Sequence, residues 1–192
     1  MLELDEFRES MDVDFLCSDR AGYRELRSMV TQQSFGDIFS GRYELMRDIR
    51  SDMYGIRTFL RVENQPLKFE IISEGRIIVT GTDSDLFPVD VLDHSSCIAE
   101  KLLANTDRGR DESTRSRDLI DLAFMAASWP GDALVTGMAT ADSIYGTSVQ
   151  RELSGTLERF EDSAYRKKCI KDLTVSNTRK LTRGLRAIKS LL

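Results

Sequence analysis

Hydrophobic and polar residues alternate with a period of two in several short segments of the first half of the chain. Residues 12–18 alternate acidic and apolar side chains, which is typical of a strand with one face toward a core. We expect Val13 and Phe15 on the core face and Asp12 and Asp14 on the other. Turns at 64–66 and 74–75 indicate an antiparallel meander. The further predicted strands are 56–63, 67–73, 76–81 and 87–92.

Apolar residues recur at helical spacing in one early segment, 21–32, and through the whole second half. Asp19 or Ser18 is the expected cap of the early helix, and Ser95 or Ser96 is the expected cap of the first later one. Six later helices are predicted, with approximate ranges of 95–108, 115–128, 133–145, 149–160, 165–173 and 176–192. The predicted fold class is α+β, with a small mixed or antiparallel sheet core in residues 1–92 and an all-helical domain in residues 93–192.

Composition places the chain among ordinary globular proteins, since 41% of its 192 residues are hydrophobic and 31% are charged. Its three cysteines show no paired spacing, which favours free thiols in a reducing compartment. The start is acidic, and the longest apolar stretch, 119–129, contains Asp121. That stretch is shorter than the about 20 residues that a membrane-spanning helix needs. We expect a cytoplasmic protein without a membrane segment.

Charge is divided unevenly along the chain, with a net charge of −11 in residues 1–149 and +6 in residues 150–192. A C-terminal basic stripe of this kind neutralises phosphates without reading a nucleic-acid sequence. The alternative interpretation is the solvated end of an amphipathic helix, where basic residues are favoured. The candidate RNA contacts are Lys167, Lys168, Lys171, Lys180, Arg183 and Arg186.

Paired carboxylates on the first predicted strand are the first candidate site. Asp12 and Asp14 share one strand face, and two such charges repel unless a cation lies between them. Mg²⁺ accepts oxygen ligands in this arrangement. Lys68 and Glu70 alternate in the same way, so Glu70 can join the two aspartates if both strands share a sheet. The alternatives are solvated acids and a cross-strand pair of lysine with an acid.

A second candidate group lies on two predicted helices. Lys101 and Lys68 are the only lysines before residue 150, and Lys101 lies beside an apolar stripe. The next helix places Asp118 and Asp121 on one face, with Arg117 four residues before Asp121. A salt-bridged surface hairpin is the alternative interpretation, but it explains the position of a rare lysine less well.

The order of these motifs resembles that of the AbiEii-type nucleotidyltransferase toxins, over roughly residues 2–130. The matching motifs are Arg8-x-Ser10-x-Asp12-x-Asp14, Lys68-x-Glu70, Ala99-Glu-Lys101 and Arg117-Asp118-x-x-Asp121. These toxins belong to the DNA polymerase beta-like nucleotidyltransferase superfamily and act in bacterial toxin–antitoxin or abortive-infection systems. The resemblance implies transfer of a nucleoside monophosphate from an NTP to an acceptor, tRNA or another RNA, and a separately encoded antitoxin as partner.

The resemblance also implies a role for each matched position. Asp12 and Asp14 match the metal ligands of the family, for Mg²⁺ or Mn²⁺, and Glu70 matches a third acid. Lys101 matches a lysine that acts on the triphosphate, and Asp118 matches the first acid of the family's fourth motif. This implies a catalytic role for Asp118, which with Arg117 would orient Lys101 or the nucleotide. The positions implied in nucleotide binding are Arg8, Ser10, Lys68, Lys101, Arg117 and Asp121.

One family motif has no counterpart in this chain. The family places a Gly-Gly-Ser/Thr or Gly-Ser turn ahead of the paired aspartates, where backbone N–H groups cradle the triphosphate. Those positions fall at or before Met1. We expect the start of the protein to lie upstream of Met1, and weak activity for the chain as given. The alternative is a catalytically inactive relic of the fold that binds RNA or protein.

Overall fold

The computed structural model describes residues 2–10, 12–39, 41–85, 87 and 89–192. The chain forms two compact units. Residues 10–78 make one, which we call the sheet unit, and residues 1–9 together with 79–192 make the other, which we call the helical unit. The domain boundary predicted between residues 92 and 93 stays a prediction. The expected position of the glycine turn, at or before Met1, lies outside the described residues.

The sheet unit is a mixed sheet with one helix. β1 (Asp12–Cys17) runs parallel to β5 (Gln65–Ser73), and β5 is antiparallel to β4 (Gly55–Val62). Two short strands, β2 (Glu44–Leu45) and β3 (Arg50–Ser51), pair with the other edge of β4. The order across the sheet is therefore β1-β5-β4-β2, with β3 beside β4.

The helix of this unit, α1 (Arg20–Met29), begins as predicted after Asp19. The Asp19 carboxylate accepts hydrogen bonds from the backbone N–H groups of Ala21 and Gly22, so it satisfies donors that the first helical turn leaves unpaired. Tyr23 of α1 is buried in the core of the unit.

One face of the sheet is buried and the other is polar. Phe35, Phe69 and Ile56 are among the buried residues, and the rings of Phe35 and Phe69 meet edge to face with centroids 5.2 Å apart. Successive residues of a strand point to opposite faces, so the register of the strands assigns the second face. We call it the polar face; its charged residues include Asp12, Asp14, Arg57, Arg61, Lys68 and Glu70, and it also carries the apolar residues Leu16, Phe59, Pro66 and Ile72.

The strand predicted at 76–81 is wrong. β5 already has β1 on one edge and β4 on the other, so no edge remains for a third meander strand. The Glu74 carboxylate accepts hydrogen bonds from the backbone N–H and the side chain of Arg76, which turns the chain away from the sheet. Only Gly81–Thr82 (β6) is extended there, and it pairs with Val91–Leu92 (β7).

Two more details differ from the prediction. The β4–β5 turn falls at Glu63 and Asn64, whose φ angles of 48° and 69° are those of a tight two-residue hairpin. Val13 and Phe15 lie on the core side of β1, but they are 37% and 38% exposed because β1 is an edge strand. The strand predicted at 87–92 includes Pro88, which lies outside the described residues.

The helical unit contains six of the seven α-helices in the described chain. Their bounds are α2 (His94–Arg108), α3 (Arg117–Ser128), α4 (Gly131–Tyr145), α5 (Ser148–Glu161), α6 (Ser163–Asp172) and α7 (Thr178–Lys189). Asp93, and neither Ser95 nor Ser96, caps α2: its carboxylate accepts the Ser96 N–H. The predicted end of this helix at residue 128 is confirmed for α3.

The N-terminal segment packs on helices of the same unit. The Phe7 ring stacks on Phe124 of α3, with centroids 3.7 Å apart, and the Phe7 carbonyl accepts the N–H of Ser176 just before α7. This packing places the following residue, Arg8, beside α3. The α+β fold class, with its helices concentrated in the second half, is confirmed.

Candidate functional site

Two aspartates lie on the polar face at β1. Asp12 is half-buried and Asp14 is exposed. In the parallel register, Asp12 lies opposite Lys68 of β5 and Asp14 lies opposite Glu70. The structure therefore brings the three predicted carboxyl residues to neighbouring positions of adjacent strands, about 4.8 Å apart between strand axes.

Glu70 has two cationic partners. Its carboxylate accepts a hydrogen bond from Nζ of Lys68, and Nε of Arg57 lies 3.2 Å from its other oxygen. The Glu70 side chain is largely buried, whereas Lys68 and Arg57 are partly exposed. The charge of Glu70 is thus balanced within the sheet. A metal ion that binds Glu70 would share its carboxylate with these cations or replace one of them.

The chemistry of the Asp12–Asp14 pair suits Mg²⁺ or Mn²⁺. Throughout the residues that the structure describes, no three His, Cys, Asp or Glu side chains gather into a group that can hold a metal ion. Mg²⁺ is commonly bound by only one or two carboxylates, while water and substrate phosphates supply its other ligands. Two carboxylates on one strand face make such a donor set.

The remaining predicted residues lie in the helical unit and on its N-terminal segment, except Ser10, which is exposed at the start of the sheet unit. Asp121 of α3 is buried, and its carboxylate accepts two hydrogen bonds from the Arg8 guanidinium, at 2.6 and 2.8 Å. Nζ of Lys101 on α2 lies 2.9 Å from the same carboxylate. Arg8 is therefore committed to an internal ion pair. Its implied contact with a nucleotide stays a prediction.

Asp118 lies one helical turn before Asp121 and is also buried. Its carboxylate accepts two hydrogen bonds from Arg108, at 2.7 and 2.8 Å, and Nζ of Lys101 lies 3.8 Å from it. Lys101 and Arg108 are seven residues apart on α2, which is two helical turns, so both face α3. The acids on one face of α3 are thus matched by cations on one face of α2. Arg117, the first residue of α3, is half-buried.

Burial by itself would raise the pKa of Asp121, because a carboxylate is poorly solvated in a protein interior. The positive charges of Lys101 and Arg8 outweigh this effect and hold the pKa of Asp121 below its ordinary value of 3.8. Asp121 is therefore ionised at neutral pH and attracts the Lys101 ammonium. That ammonium has three donors, and the Lys101 side chain keeps 30% of its surface exposed, so it can also reach an anion from solvent.

The basic C-terminal residues lie on α6 and α7. Lys167, Lys168 and Lys171 of α6 are exposed, as is Arg186 of α7. All four side chains are therefore accessible from solvent, as an RNA contact requires.

Lys180 and Arg183 of α7 also have partners inside the helical unit. The Lys180 side chain is 17% exposed, and its Nζ lies 3.4 Å from the Asp5 carboxylate. Arg183 donates a hydrogen bond of 2.6 Å to the Ala127 carbonyl near the end of α3. Arg179, which is not among the predicted RNA contacts, lines an open cavity of about 330 Å³ with Asn177, Lys180 and Arg183.

Two partners of the predicted acids were missed from the sequence. Arg108 could have been found, because it follows Lys101 by two helical turns. Arg57 could not, because its position opposite Glu70 depends on a turn at Glu63–Asn64. A turn placed at 64–66 gives a different register, and a shift of one residue reverses the face of every side chain.

No helix within the described residues is both long enough and apolar enough to cross a membrane. The chain matches, over residues 1–174, a family model described as the nucleotidyl transferase AbiEii toxin of type IV toxin–antitoxin systems. The matched range contains every motif from Arg8 to Asp121. Searches of curated proteins and of solved structures found no match.

Proposed function

The chain belongs to the AbiEii family of nucleotidyl transferase toxins of type IV toxin–antitoxin systems, and from this premise we propose that it transfers a nucleoside monophosphate from an NTP to RNA. The observation that carries the proposal is the Asp12–Asp14 pair on one face of β1, beside Lys68 and Glu70 of β5. Family membership, which the order of the motifs predicted, is confirmed. The substrates, the metal and the acceptor are our proposal.

The proposed reaction exchanges one bond to phosphorus for another. A hydroxyl oxygen of the acceptor forms a bond to the α-phosphorus of the NTP, and the bond from that phosphorus to the oxygen of the β-phosphate breaks. Pyrophosphate leaves in line with the entering oxygen, and the hydroxyl proton passes to a base. The acceptor gains one nucleotide, so that no oxidant or other co-reactant is needed.

Asp12 and Asp14 are the proposed ligands of Mg²⁺ or Mn²⁺. When bound, such an ion neutralises phosphate charge and lowers the pKa of the attacking hydroxyl. Glu70 is proposed to complete this donor set or to take the proton. In either role its carboxylate competes with two cations, because Lys68 and Arg57 both contact it.

Lys101 is the proposed point charge on the triphosphate, where it stabilises negative charge that develops on the leaving pyrophosphate. Asp121 holds the Lys101 ammonium at 2.9 Å, and Arg8 holds Asp121. Asp118 supports the same lysine at longer range. Arg8 and Asp121 are thus proposed as positioning residues, which act through Lys101.

The proposed acceptor is RNA, with tRNA as the candidate that the family resemblance suggests. Support comes from the exposed lysines of α6, Lys167, Lys168 and Lys171, and from the arginines of α7. We propose that the protein acts in the cytoplasm, where NTPs and tRNA are present. The proposed partner that silences it is a separately encoded antitoxin protein.

The test is incubation of the purified protein with each of four α-labelled NTPs and total RNA. We expect label in RNA with Mg²⁺ or Mn²⁺ and none with a chelator. Asp12→Asn and Asp14→Asn should each lower the rate by at least about a hundredfold, since each removes a proposed metal ligand. Glu25→Gln, at an exposed acid of α1, is the control and should keep the parental rate.

Equal label transfer by Asp14→Asn and by the parent would refute the assignment of the aspartates. If no NTP labels RNA with either ion while RNA still binds, the relic hypothesis is favoured. In that case, label transfer should be measured again with a longer protein to which a glycine turn has been added upstream of Met1. Growth arrest on expression, absent with Asp14→Asn, is the expected cellular counterpart.

A further inference from the structure

An aromatic side chain lies on the polar face among charged neighbours. Phe59 of β4 is 37% exposed, although most large apolar residues of β4 and β5 lie on the buried face. The flanking residues of β4 on the same face are Arg57 and Arg61, which form ion pairs with acids. More than a third of the ring surface is open to solvent beside these charges, so a ligand can reach it.

The Phe59 ring is paired with a guanidinium. The Cζ atom of Arg47 lies 4.8 Å from the ring centroid, within the range of a cation–π contact. The backbone that carries Arg47 is fixed, since buried Thr58 donates a hydrogen bond of 2.8 Å to the Arg47 carbonyl. The N–H of Met46 also donates to the Phe59 carbonyl. The backbone segments that carry the ring and the guanidinium are therefore held side by side, and part of the ring surface stays open. We call this pair the Phe59–Arg47 platform.

The register relates this platform to the aspartates. Phe59 lies opposite Lys68 of β5, and Lys68 lies opposite Asp12 of β1. The three residues therefore form one row across the polar face, and two strand spacings of about 4.8 Å separate Phe59 from Asp12. In a nucleotide, a ribose separates the base from its phosphate by a comparable span.

We propose that the Phe59–Arg47 platform stacks an unpaired nucleobase when nucleotide chemistry takes place at Asp12 and Asp14. The inference rests on the proposed function and adds a base-binding position to it. Aromatic rings and arginine planes bind bases by stacking, which tolerates any base because every base has a π face. The base can belong to the NTP or to the acceptor RNA, and both share this chemistry.

The experiment measures binding, which does not require turnover. Affinities of the parent, Phe59→Leu and Tyr54→Leu are compared for an NTP, for inorganic tripolyphosphate and for a single-stranded oligoribonucleotide, with Mg²⁺ present. Phe59→Leu keeps an apolar side chain but removes the π face. Tyr54→Leu removes an exposed ring from the turn between β3 and β4 and is the matched control.

We expect Phe59→Leu to weaken binding of a base-bearing ligand by about tenfold, within the range measured for stacked bases. Tripolyphosphate, which has no base, should bind as before, and Tyr54→Leu should change neither. Phe59→Trp should restore or tighten binding, and Arg47→Lys should weaken it because lysine has no planar group to stack. Loss with the NTP identifies the donor base, and loss only with the oligoribonucleotide identifies an acceptor base.

The proposal would be overturned if Phe59→Leu bound both base-bearing ligands as tightly as the parent does. It would also be overturned if Phe59→Leu lost as much affinity for tripolyphosphate as for the base-bearing ligands. Absence of binding of both ligands to the parent would overturn it as well. Failure of the proposed function gives a different result: binding of the base-bearing ligands depends on Phe59, but no label from the NTP enters RNA. Unfolding curves of Phe59→Leu and Phe59→Trp check that both variants fold.

Discussion

Asp121 is the residue on which the buried charges of the helical unit depend. Its carboxylate is 1% exposed and contacts Arg8 through two hydrogen bonds and Lys101 at 2.9 Å. A buried charge is tolerated when partners replace the water that it loses, and removal of one partner is costly. Arg8, which a sequence motif assigns to nucleotide binding, therefore also has a structural role that can be measured.

Arg8→Ala should lower the free energy of unfolding by about 3 kcal/mol, because it leaves the Asp121 carboxylate with an incomplete set of donors. Arg8→Lys should recover part of that loss, since it keeps the charge but not the pair of parallel hydrogen bonds. Urea unfolding at neutral pH measures both. Arg166→Ala, at an exposed arginine of α6, is the control and should stay within about 0.5 kcal/mol of the parent. An equally small loss for Arg8→Ala would contradict the role of this ion pair.

The lowered pKa of Asp121 predicts that the free energy of unfolding decreases at acidic pH. A carboxyl whose pKa is lower in the folded state contributes stability above its ordinary pKa, here 3.8, and loses it as the pH falls through the folded-state value. The parent should therefore lose stability below about pH 4. Asp121→Asn should be less stable than the parent at pH 7, and the difference should narrow below about pH 4. Urea unfolding at several pH values tests this, and a difference independent of pH would refute it.

At the scale of elements, α3 and α7 of the helical unit approach each other closely. Gly184 of α7 meets the backbone of Ala123 on α3, where an added Cβ would lie 1.7 Å from the Ala123 carbonyl oxygen. Backbone atoms cannot move aside as a flexible side chain can. The absence of a side chain at Gly184 is therefore what lets these helices touch.

Gly184→Ala should destabilise the protein by about 3 kcal/mol or more, as expected when atoms are forced into a packed contact. Gly155→Ala is the matched control, because Gly155 lies in the middle of α5 with nothing within 4 Å of an added Cβ. That substitution should stabilise by about 0.5–1 kcal/mol, since alanine favours a helix more than glycine does. Thermal or urea unfolding compares the two, and similar effects of both would contradict the described α3–α7 packing.

The helices were largely predictable from the sequence, because a helix depends on neighbours along the chain. Asp19 caps α1 and Trp129 ends α3 as their local sequence indicates. The cap of α2 was missed because Asp93, Ser95 and Ser96 are all good capping residues, and the last two fall in its first turn. The strands were harder to predict. The parallel pairing of β1 with β5 joins residues more than fifty positions apart. No local pattern reveals that β1 occupies the edge of β5 with which a strand at 76–81 would have to pair.

The site residues were also found unevenly, for a similar reason. Residue types and spacing were enough to select Asp12, Asp14 and Lys101. They did not show that Glu70 is paired with two cations, because that contact depends on strand register. Position on the polar face is likewise what distinguishes Phe59 from other phenylalanines.

For the whole molecule, the uneven division of charge has a consequence for RNA binding. Each phosphate neutralised releases a counterion, so affinity for RNA should fall steeply as salt increases. The exposed lysines of α6 lie in the basic end of the chain, whereas the body is acidic. Binding of RNA should therefore depend on the C-terminal helices much more than on basic residues elsewhere.

The double variant Lys167→Ala/Lys168→Ala should weaken RNA binding and lower the slope of log affinity against log salt by about 1 to 2. Arg24→Ala/Arg27→Ala is the matched control, with the same number of exposed charges removed from α1. Binding titrations at several salt concentrations give the slopes. Equal slopes for the α6 variant and the parent would place the RNA contact elsewhere.

The most direct test of the central claim follows both ends of one NTP during reaction with RNA and Mg²⁺. With the NTP labelled at its α- and γ-phosphates, the α-label should enter RNA and an equal amount of γ-label should appear as pyrophosphate, and Asp14→Asn should do neither. Entry of the γ-label into RNA, release of orthophosphate without labelling of RNA, or unchanged transfer by Asp14→Asn would contradict nucleotidyl transfer at the aspartate pair.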